Sequence, residues 1–345
     1  MPSLTRAAAL FRTQGDSSVL EYVTDLEKPV AGPGTFFVFL SSLLESKKVA
    51  VAGQLLVKNH FIGVNFVDTY QRAGLYKVSL PYIPGGEASG VVEAVGEGVD
   101  SFKIGDRVAY LAPNAGSEYA LANPDKAVKL PDSVSFEQGA SLLTQGLTAA
   151  FLVRFIYEVK PGDTVLIHAA AGGTGQILVQ LAKHYGATVI GTTSTAEKAK
   201  TVLKAGADHV ILYKEQDVKA EVLKITNGKG VQVVYDGVGK STFDISLSVL
   251  ARLGTLASFG NASGKVENFD ALKLVPNSVK VLRPSLGQFL QNKQEWDDLA
   301  VPLIELYTAG KIKLNIHKIY DLKDIKSAHD DIESGTTQGK LLLRV

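Results

Sequence analysis

The stretch Val165-Leu166-Ile167-His168-Ala169-Ala170-Ala171-Gly172-Gly173-Thr174-Gly175-Gln176 decides the fold of this chain. Its apolar start predicts a buried strand, its glycines a tight turn, and its end the first turn of a helix. A strand that passes through glycines into a helix is the arrangement that receives a dinucleotide pyrophosphate, because the unpaired N–H groups at the helix start face the anion. Ala170 stands where G-x-G-x-x-G carries its first glycine, so the weight of the motif comes from the strand before it and the helix after it. In this reading Gly172 lets the backbone approach the phosphates and Gly175 lets helix and strand pack closely. The competing reading is an ordinary strand-to-helix turn.

Outward from the motif, apolar strands alternate with helical stretches: Val165 to His168, Thr188 to Thr192, His209 to Leu212, Val231 to Tyr235 and Gly254 to Phe259. Strands separated by helices imply a parallel, doubly wound sheet. Upstream, from about Leu55 to Leu130, short β-rich runs alternate with Gly, Pro and Asp, as in an irregular antiparallel barrel. The last stretch carries a helix around Trp296 to Ala309, a strand near Ile312 to Tyr320, a helix near Asp324 to Glu333 and a closing strand from Lys340. These are assigned back to the first domain, because the nucleotide sheet already has its strands. The class is therefore α/β, and no internal repeat or low-complexity tract interrupts it.

A chain of 345 residues exceeds what one core usually supports, so two domains are expected. The 36 basic and 35 acidic residues leave a formal net charge of +1, which advertises neither nucleic acid nor an anionic membrane. The absence of cysteine removes disulfides, thiolate nucleophiles and Cys-based zinc sites together. No segment reads as a signal peptide or as the roughly 20 apolar residues of a bilayer span, so a soluble, cytoplasmic protein with no membrane partner is expected. Arg6 and Arg12 read as part of an ordinary first strand rather than a presequence.

The second strand of a dinucleotide fold ends beside the adenosine ribose, where an acid selects against a 2′-phosphate. Here it runs into Thr193-Ser194-Thr195-Ala196-Glu197-Lys198, hydroxyls followed by a lysine. Lys198 and Ser194 would give a phosphate dianion charge-assisted hydrogen bonds of about 1.5–3 kcal/mol each, which favours NADPH over NADH. Ser194 and Glu197 also match an S-x-x-E capping box, which alone would account for both.

Several ordered motifs carry a resemblance over nearly the whole chain. They are Asn65-Phe66-Val67-Asp68-Thr69-Tyr70-Gln71-Arg72-Ala73-Gly74-Leu75-Tyr76, Gly85-Gly86-Glu87-Ala88-Ser89-Gly90, Val95-Gly96-Glu97-Gly98-Val99 and Phe102-Lys103-Ile104-Gly105-Asp106-Arg107-Val108, with the glycine loop, Tyr235-Asp236-Gly237-Val238-Gly239, Ser258-Phe259-Gly260-Asn261, Arg283-Pro284-Ser285-Leu286 and Thr337-Gln338-Gly339-Lys340. Together they resemble the zinc-free quinone oxidoreductases, the ζ-crystallin-like group of the medium-chain dehydrogenase/reductase superfamily. The resemblance implies a GroES-like, mainly antiparallel β catalytic domain over residues 1–146, a Rossmann-type NADPH-binding domain over 147–280, and a return to the catalytic domain over 281–345.

Zinc-dependent relatives hold their metal through a Cys at the position of Asn65 and a His at the position of Gly86. An amide is a poor zinc donor and glycine has none, so no metal is expected. The six histidines show no H-x-x-x-H pairing and read as ordinary surface or core residues. Without a Lewis acid the implied reaction is direct hydride transfer in the interdomain cleft to an electron-poor acceptor such as a quinone, where positioning supplies most of the catalysis.

By resemblance, Asn65 and Tyr70 line the substrate cleft, their donors meeting a quinone oxygen as charge develops, with Tyr70 relaying a proton. Both are equally readable as structural, the amide bracing a turn and the ring filling a wall. Tyr76 would add an aromatic wall, and Thr148 with Phe259 and Asn261 falls on the nicotinamide side. Glu87, Asp106 and Arg107 belong to the scaffold. Pyrophosphate contact maps onto Gly172, Gly173 and Thr174, with Ala170 and Gly175 in the same cofactor-binding turn, and 2′-phosphate contact onto Ser194, Lys198 and Tyr213. Relatives often carry an arginine toward that phosphate where this chain has Gly335, which weakens the expected selectivity for NADPH. A homodimer paired through the nucleotide domains is implied. Reduction of the C=C bond of an unsaturated carbonyl, and an RNA-binding or crystallin-like role, are the other functions the resemblance allows; the near-neutral charge makes RNA the weaker.

Residues 35–53 do not belong to this pattern. Deleting them joins Gly32-Pro33-Gly34 to Gln54-Leu55-Leu56-Val57, the family's usual loop into a strand. A docking element, a membrane-touching segment and a translated intron compete, and Phe36 to Leu44 is too short to span a bilayer. The intron reading is favoured, because the segment's ends are compatible with GT and AG codon boundaries.

Overall fold

A computed structural model describes residues 5–29 and 52–345. The chain divides into two units, residues 1–144 with 316–345, and residues 145–315. All of the segment 35–53 except Ala52 and Gly53 lies outside the described residues.

The first unit opens with β1 (Thr5–Phe11) and β2 (Leu20–Glu27), an antiparallel pair. It continues with β3 (Leu55–Val64), helix α1 (Phe66–Arg72), β4 (Glu87–Val95), β5 (Arg107–Leu111), β6 (Tyr119–Ala122) and β7 (Ala127–Lys129). The helix α2 (Phe136–Phe151) follows, and the division falls at Thr144. Alternating apolar residues such as Val57, Val92 and Val108 pack with Tyr110 into one core. The Tyr110 hydroxyl, which burial must satisfy, donates to Asn59 Oδ1 at 2.8 Å.

The second unit contains β8 (Thr164–Ile167), α3 (Gly173–His184), β9 (Thr188–Thr193), α4 (Ala196–Lys204), β10 (His209–Leu212), α5 (Val218–Ile225), β11 (Val231–Asp236), α6 (Phe243–Ser248), β12 (Leu250–Ser258) and β13 (Lys280–Leu282). The sheet order is β10-β9-β8-β11-β12-β13, and every pairing is parallel. That is the strand order 3-2-1-4-5-6 of a doubly wound dinucleotide fold, whose switch point lies between β8 and β11. Helices on both faces explain why Val165, Leu166 and Ile167 are all fully buried: neither side of the strand meets water. Two further helices, α7 (Leu286–Phe289) and α8 (Lys293–Thr308), complete this unit.

The chain then re-enters the first unit with β14 (Ile316–Asp321), α9 (Ile325–Glu333) and β15 (Lys340–Arg344). There β15 pairs antiparallel with β3 and parallel with β14, giving the sheet order β14-β15-β3-β4-β5-β7. The return thus comes at residue 316 and not at 281 as the sequence suggested. The nucleotide sheet takes a sixth strand at 280–282, too short to register as a strand by pattern. The helix at 293–308 stays with it: Leu303 packs onto Gly146, and Arg154 donates to the carbonyl of Asp298.

One helical run, Phe136–Ile156, is long and apolar enough to cross a bilayer by length and composition, contrary to the expectation that no segment is. Two-thirds of its window is buried inside the protein, the behaviour of a core helix.

Candidate active site

The turn after β8 builds the cofactor end of the second unit. Ala169 takes a positive φ of 50°, which turns the chain out of the strand and toward the helix. The N–H of Ala170 donates to the Thr192 carbonyl at 3.1 Å, and that of Gly172 to the Ala169 carbonyl at 2.9 Å. Those two amides are spent on the loop itself. Gly173, Thr174 and Gly175 form the first turn of α3, whose N–H groups have no acceptor within the helix, the arrangement by which helix starts suit anions. A Cβ on Gly175 would lie 2.5 Å from the Ala169 carbonyl oxygen and 2.8 Å from Ala170 Cα, so only glycine lets α3 start this close to the strand. At Gly172 a Cβ would meet only the Ala169 oxygen, at 3.2 Å.

At the end of β9 the N-cap of α4 is Thr195, whose hydroxyl accepts the Lys198 N–H at 3.3 Å. Glu197 pairs with Lys200 at 2.9 Å. The S-x-x-E capping box is therefore not formed, because the cap sits one residue later than the pattern proposes. Partial burial, and then the charge of Lys214, hold the Lys198 ammonium below the usual lysine range. Lys214 follows Tyr213, whose N–H donates to the Thr193 carbonyl at 3.1 Å. The backbone bond of Tyr213 thus sets Lys214 near the strand end that carries Ser194, within range of the Lys198 charge. Lys214 escaped the sequence reading; its only signal was its place one residue past Tyr213 at the end of β10. Beyond β12, the N–H of Phe259 donates to the Asp236 carbonyl at 2.8 Å, fixing the turn into Asn261. Thr148 lies half-buried on α2.

In the first unit, Asn65 is the N-cap of α1 and its side chain is buried. Its amide donates to Glu87 Oε1 at 2.8 Å and to the Gly63 carbonyl at 3.3 Å. Its Oδ1 accepts from Lys340 Nζ at 2.8 Å. Lys340 also donates to Glu87, and Glu87 Oε2 accepts the Thr144 N–H at 2.8 Å. Both amide hydrogens of Asn65 are thus engaged within the unit, by Glu87 and by the Gly63 carbonyl. The scaffold role of Glu87 agrees with its place at the centre of this network. Asp68 accepts the Asn65 N–H at 2.8 Å and the Gly85 N–H at 3.2 Å; burial outweighs those bonds and pushes its carboxyl up to about 7.

Tyr70 and Tyr76 meet edge to face with ring centroids 5.4 Å apart. Tyr70 is half-buried and Tyr76 is exposed, so the pair forms an aromatic wall on the surface of its unit. Among the described residues, no group of three or more His, Cys, Asp or Glu is placed to hold a metal ion.

Comparison with known proteins places this geometry. Residues 51–140 match the family model described as the alcohol dehydrogenase GroES-like domain, and residues 173–305 that of the zinc-binding dehydrogenases. A quinone oxidoreductase of Salmonella typhimurium is 45% identical over 84% of this chain and 90% of the relative. The chain belongs to the quinone oxidoreductase family. Within the medium-chain dehydrogenase/reductase superfamily it falls with the zinc-free quinone oxidoreductases. The crystal structure of Escherichia coli quinone oxidoreductase complexed with NADPH superposes with a TM-score of 0.89 at 40% identity, covering 98% of this chain and all of that one. A Burkholderia 2-haloacrylate reductase is 40% identical over 84% of this chain and 90% of its own length. The quinone oxidoreductase fold, a GroES-like domain with a parallel nucleotide sheet, is thus the fold of this chain.

Proposed function

We propose that this enzyme reduces quinones with NADPH by metal-independent hydride transfer. The observation that carries the reading is the pairing of Tyr213 with the end of β9, which sets Lys214 close enough for its charge to act on Lys198 there, where an acid would favour NADH. The residues fit the dinucleotide. The N–H groups of Gly173, Thr174 and Gly175 would bind its pyrophosphate; Ser194, Lys198, Tyr213 and Lys214 would bind its 2′-phosphate. Phe259 and Asn261 would bound the nicotinamide side, with Thr148. When bound, the nicotinamide supplies the hydride.

The chain's own contribution is orientation and charge. Tyr70 and Tyr76 present the aromatic wall on which a planar quinone stacks, and the Tyr70 hydroxyl donates to the oxygen that gains charge. Asn65, held by Glu87 and Lys340, positions the helix that carries Tyr70. A C=C reductase activity is the second reading, supported by the likeness to the 2-haloacrylate reductase.

A homodimer belongs to the same proposal. Among the described residues, no strand pairs with the outer side of β13, the edge of the nucleotide sheet. Leu253, Leu272, Val275 and Leu282 are exposed apolar residues of the same unit. The burial of the long apolar helix supports a water-soluble chain, which we place in the cytoplasm.

The test is consumption of NADPH and of NADH by the purified protein, each with an ortho-quinone and with an unsaturated ketone. Quinone-dependent oxidation of NADPH is expected. Turnover with the ketone alone would move the assignment to C=C reduction, and a sedimentation mass of a single chain would remove the dimer.

A further inference from the structure

One imidazole ties together three strand ends of the nucleotide sheet. His168 directly follows β8, and its N–H donates to the Tyr235 carbonyl on β11 at 3.1 Å. Its Nδ1 lies 3.0 Å from Thr192 Oγ1 on β9, and its Nε2 lies 3.1 Å from Ser246 Oγ on α6. Ser246 in turn donates to Asp236 Oδ2 at 2.9 Å. Asp236 closes β11; its Oδ1 also accepts the N–H groups of Val238 at 2.8 Å and Gly239 at 3.0 Å, and Thr242 donates to both of its oxygens. Thr192, His168, Ser246 and Asp236 are all buried.

The order of donors follows from the chemistry of each group. A carboxylate only accepts, so the Ser246 hydrogen goes to Asp236 and the Ser246 oxygen accepts from Nε2–H. A neutral imidazole protonated at Nε2 has its lone pair on Nδ1, which takes the Thr192 hydroxyl hydrogen. Burial favours this neutral ring and lowers its pKa, against the pull of Asp236. Each hydrogen in the chain from Thr192 to Asp236 is therefore used once and in one direction.

The burial of all four groups keeps a substrate away from what would otherwise look like a His-Ser-Asp set. Their neighbours in sequence are more telling. Ala169 and Ala170 follow His168 into the glycine turn, and the Thr192 carbonyl accepts the Ala170 N–H. Thr193 and Ser194 follow Thr192, and Gly237 to Gly239 follow Asp236. In an open α/β sheet, ligands bind outside these carboxyl ends.

We propose that His168 is a positioning residue for the dinucleotide cofactor, setting the spacing of the glycine turn, the Ser194 strand end and the 237–239 turn through Thr192 and through Ser246–Asp236. The inference rests on the NADPH reading above. It adds a buried residue that acts on cofactor affinity through its hydrogen-bonded neighbours.

The experiment measures dissociation constants for NADPH and NADH by cofactor fluorescence on the full-length protein, with thermal midpoints alongside. His168→Gln retains a donor toward Ser246 and loses the acceptor for Thr192. It is expected to weaken NADPH by about tenfold, the equivalent of about 1.4 kcal/mol, and NADH less. Thr192→Val deletes only the donor to Nδ1 and should shift the NADPH:NADH ratio the same way, which covers the case of a His168 variant that does not fold. His329→Gln, a buried histidine of the other unit, is the control: it lowers the thermal midpoint and leaves both constants alone. Wild-type constants in folded His168→Gln and Thr192→Val overturn the proposal, as does an equal loss of affinity in His329→Gln. A wild-type protein that binds neither nucleotide overturns the NADPH reading itself.

Discussion

Lys340 Nζ donates to Asn65 Oδ1 at 2.8 Å across 275 positions of chain, with the Lys340 side chain 1% exposed. The antiparallel register that sets Leu341 opposite Val64 brings the first residue of the last strand beside the N-cap of the first helix. A buried ammonium is stable there because Glu87 supplies the opposite charge and the Asn65 oxygen takes a second of its hydrogens.

Removing one member of that buried pair strands the other. Lys340→Met leaves the Glu87 carboxylate uncompensated and should cost about 3–5 kcal/mol of stability, read by urea unfolding. A loss under about 1 kcal/mol, the scale of an exposed ion pair, would show that the pair is solvated in solution.

Cofactor selection should fail at two lysines. Lys198→Ala removes a charge-assisted contact worth about 1.5–3 kcal/mol, so the NADPH dissociation constant rises by about 10- to 100-fold while that for NADH stays nearly constant. Lys214→Ala should act in the same direction and raise the pKa of Lys198. Unchanged NADPH binding in both variants would remove the phosphate assignment.

The acid limb of stability should carry the mark of His329. Burial, and then the Arg72 guanidinium that donates to Nδ1 at 2.9 Å, hold this imidazole down to about 3. Its stabilising contribution is complete above the unfolded value near 6.5 and falls with pH down to about 3, because the unfolded chain alone takes the proton in that window. Asp68 works the opposite way. Its carboxyl sits at about 7 against 3.8 in the unfolded chain, so its contribution is lost as pH rises between those values. Urea unfolding between pH 7 and pH 4 should show, for His329→Gln, a slope of stability against pH less positive than that of wild type by about one proton, or about 1.4 kcal/mol per pH unit at most, because the opposing Asp68 contribution is left unbalanced. Parallel profiles would mean that His329 titrates normally.

Tyr70 and Asn65 should separate by kind of defect. Tyr70→Phe, losing the hydroxyl and keeping the ring wall, should lower quinone turnover by about 10²-fold with NADPH affinity preserved. Asn65→Ala strips partners from Lys340 and Glu87 and should appear first as lost stability. Undiminished turnover in Tyr70→Phe would reduce that residue to a wall.

Residues 35–53 make a prediction about the mature protein. The GroES-like match begins at residue 51, almost at the downstream end of the segment. Peptides from Phe36 to Lys47 should be missing from the endogenous protein by mass spectrometry. Their detection would establish the insert as part of the enzyme.

The nucleotide unit was legible because its signals are local. Val165 to Ile167 are apolar on both faces, and Gly175 is required by an approach between residues six apart or fewer, so strand, turn and helix could be read without knowing what packs on them. His209 to Leu212 forms the strand its pattern predicts. The aromatic pair Tyr70 and Tyr76 also lay within one helix and its exit. Tertiary structure alone decided the rest. The capping choice between Ser194 and Thr195 turned on where β9 ended, and β13 was recognised only by its pairing with β12. Whether the Asn65 amide was free depended on Lys340, which arrives through strand register, and the role of His168 depended on hydroxyls from two other elements. Local geometry follows from neighbouring side chains and the backbone, whereas the partner of a buried polar group is chosen by whatever the fold brings within hydrogen-bond reach.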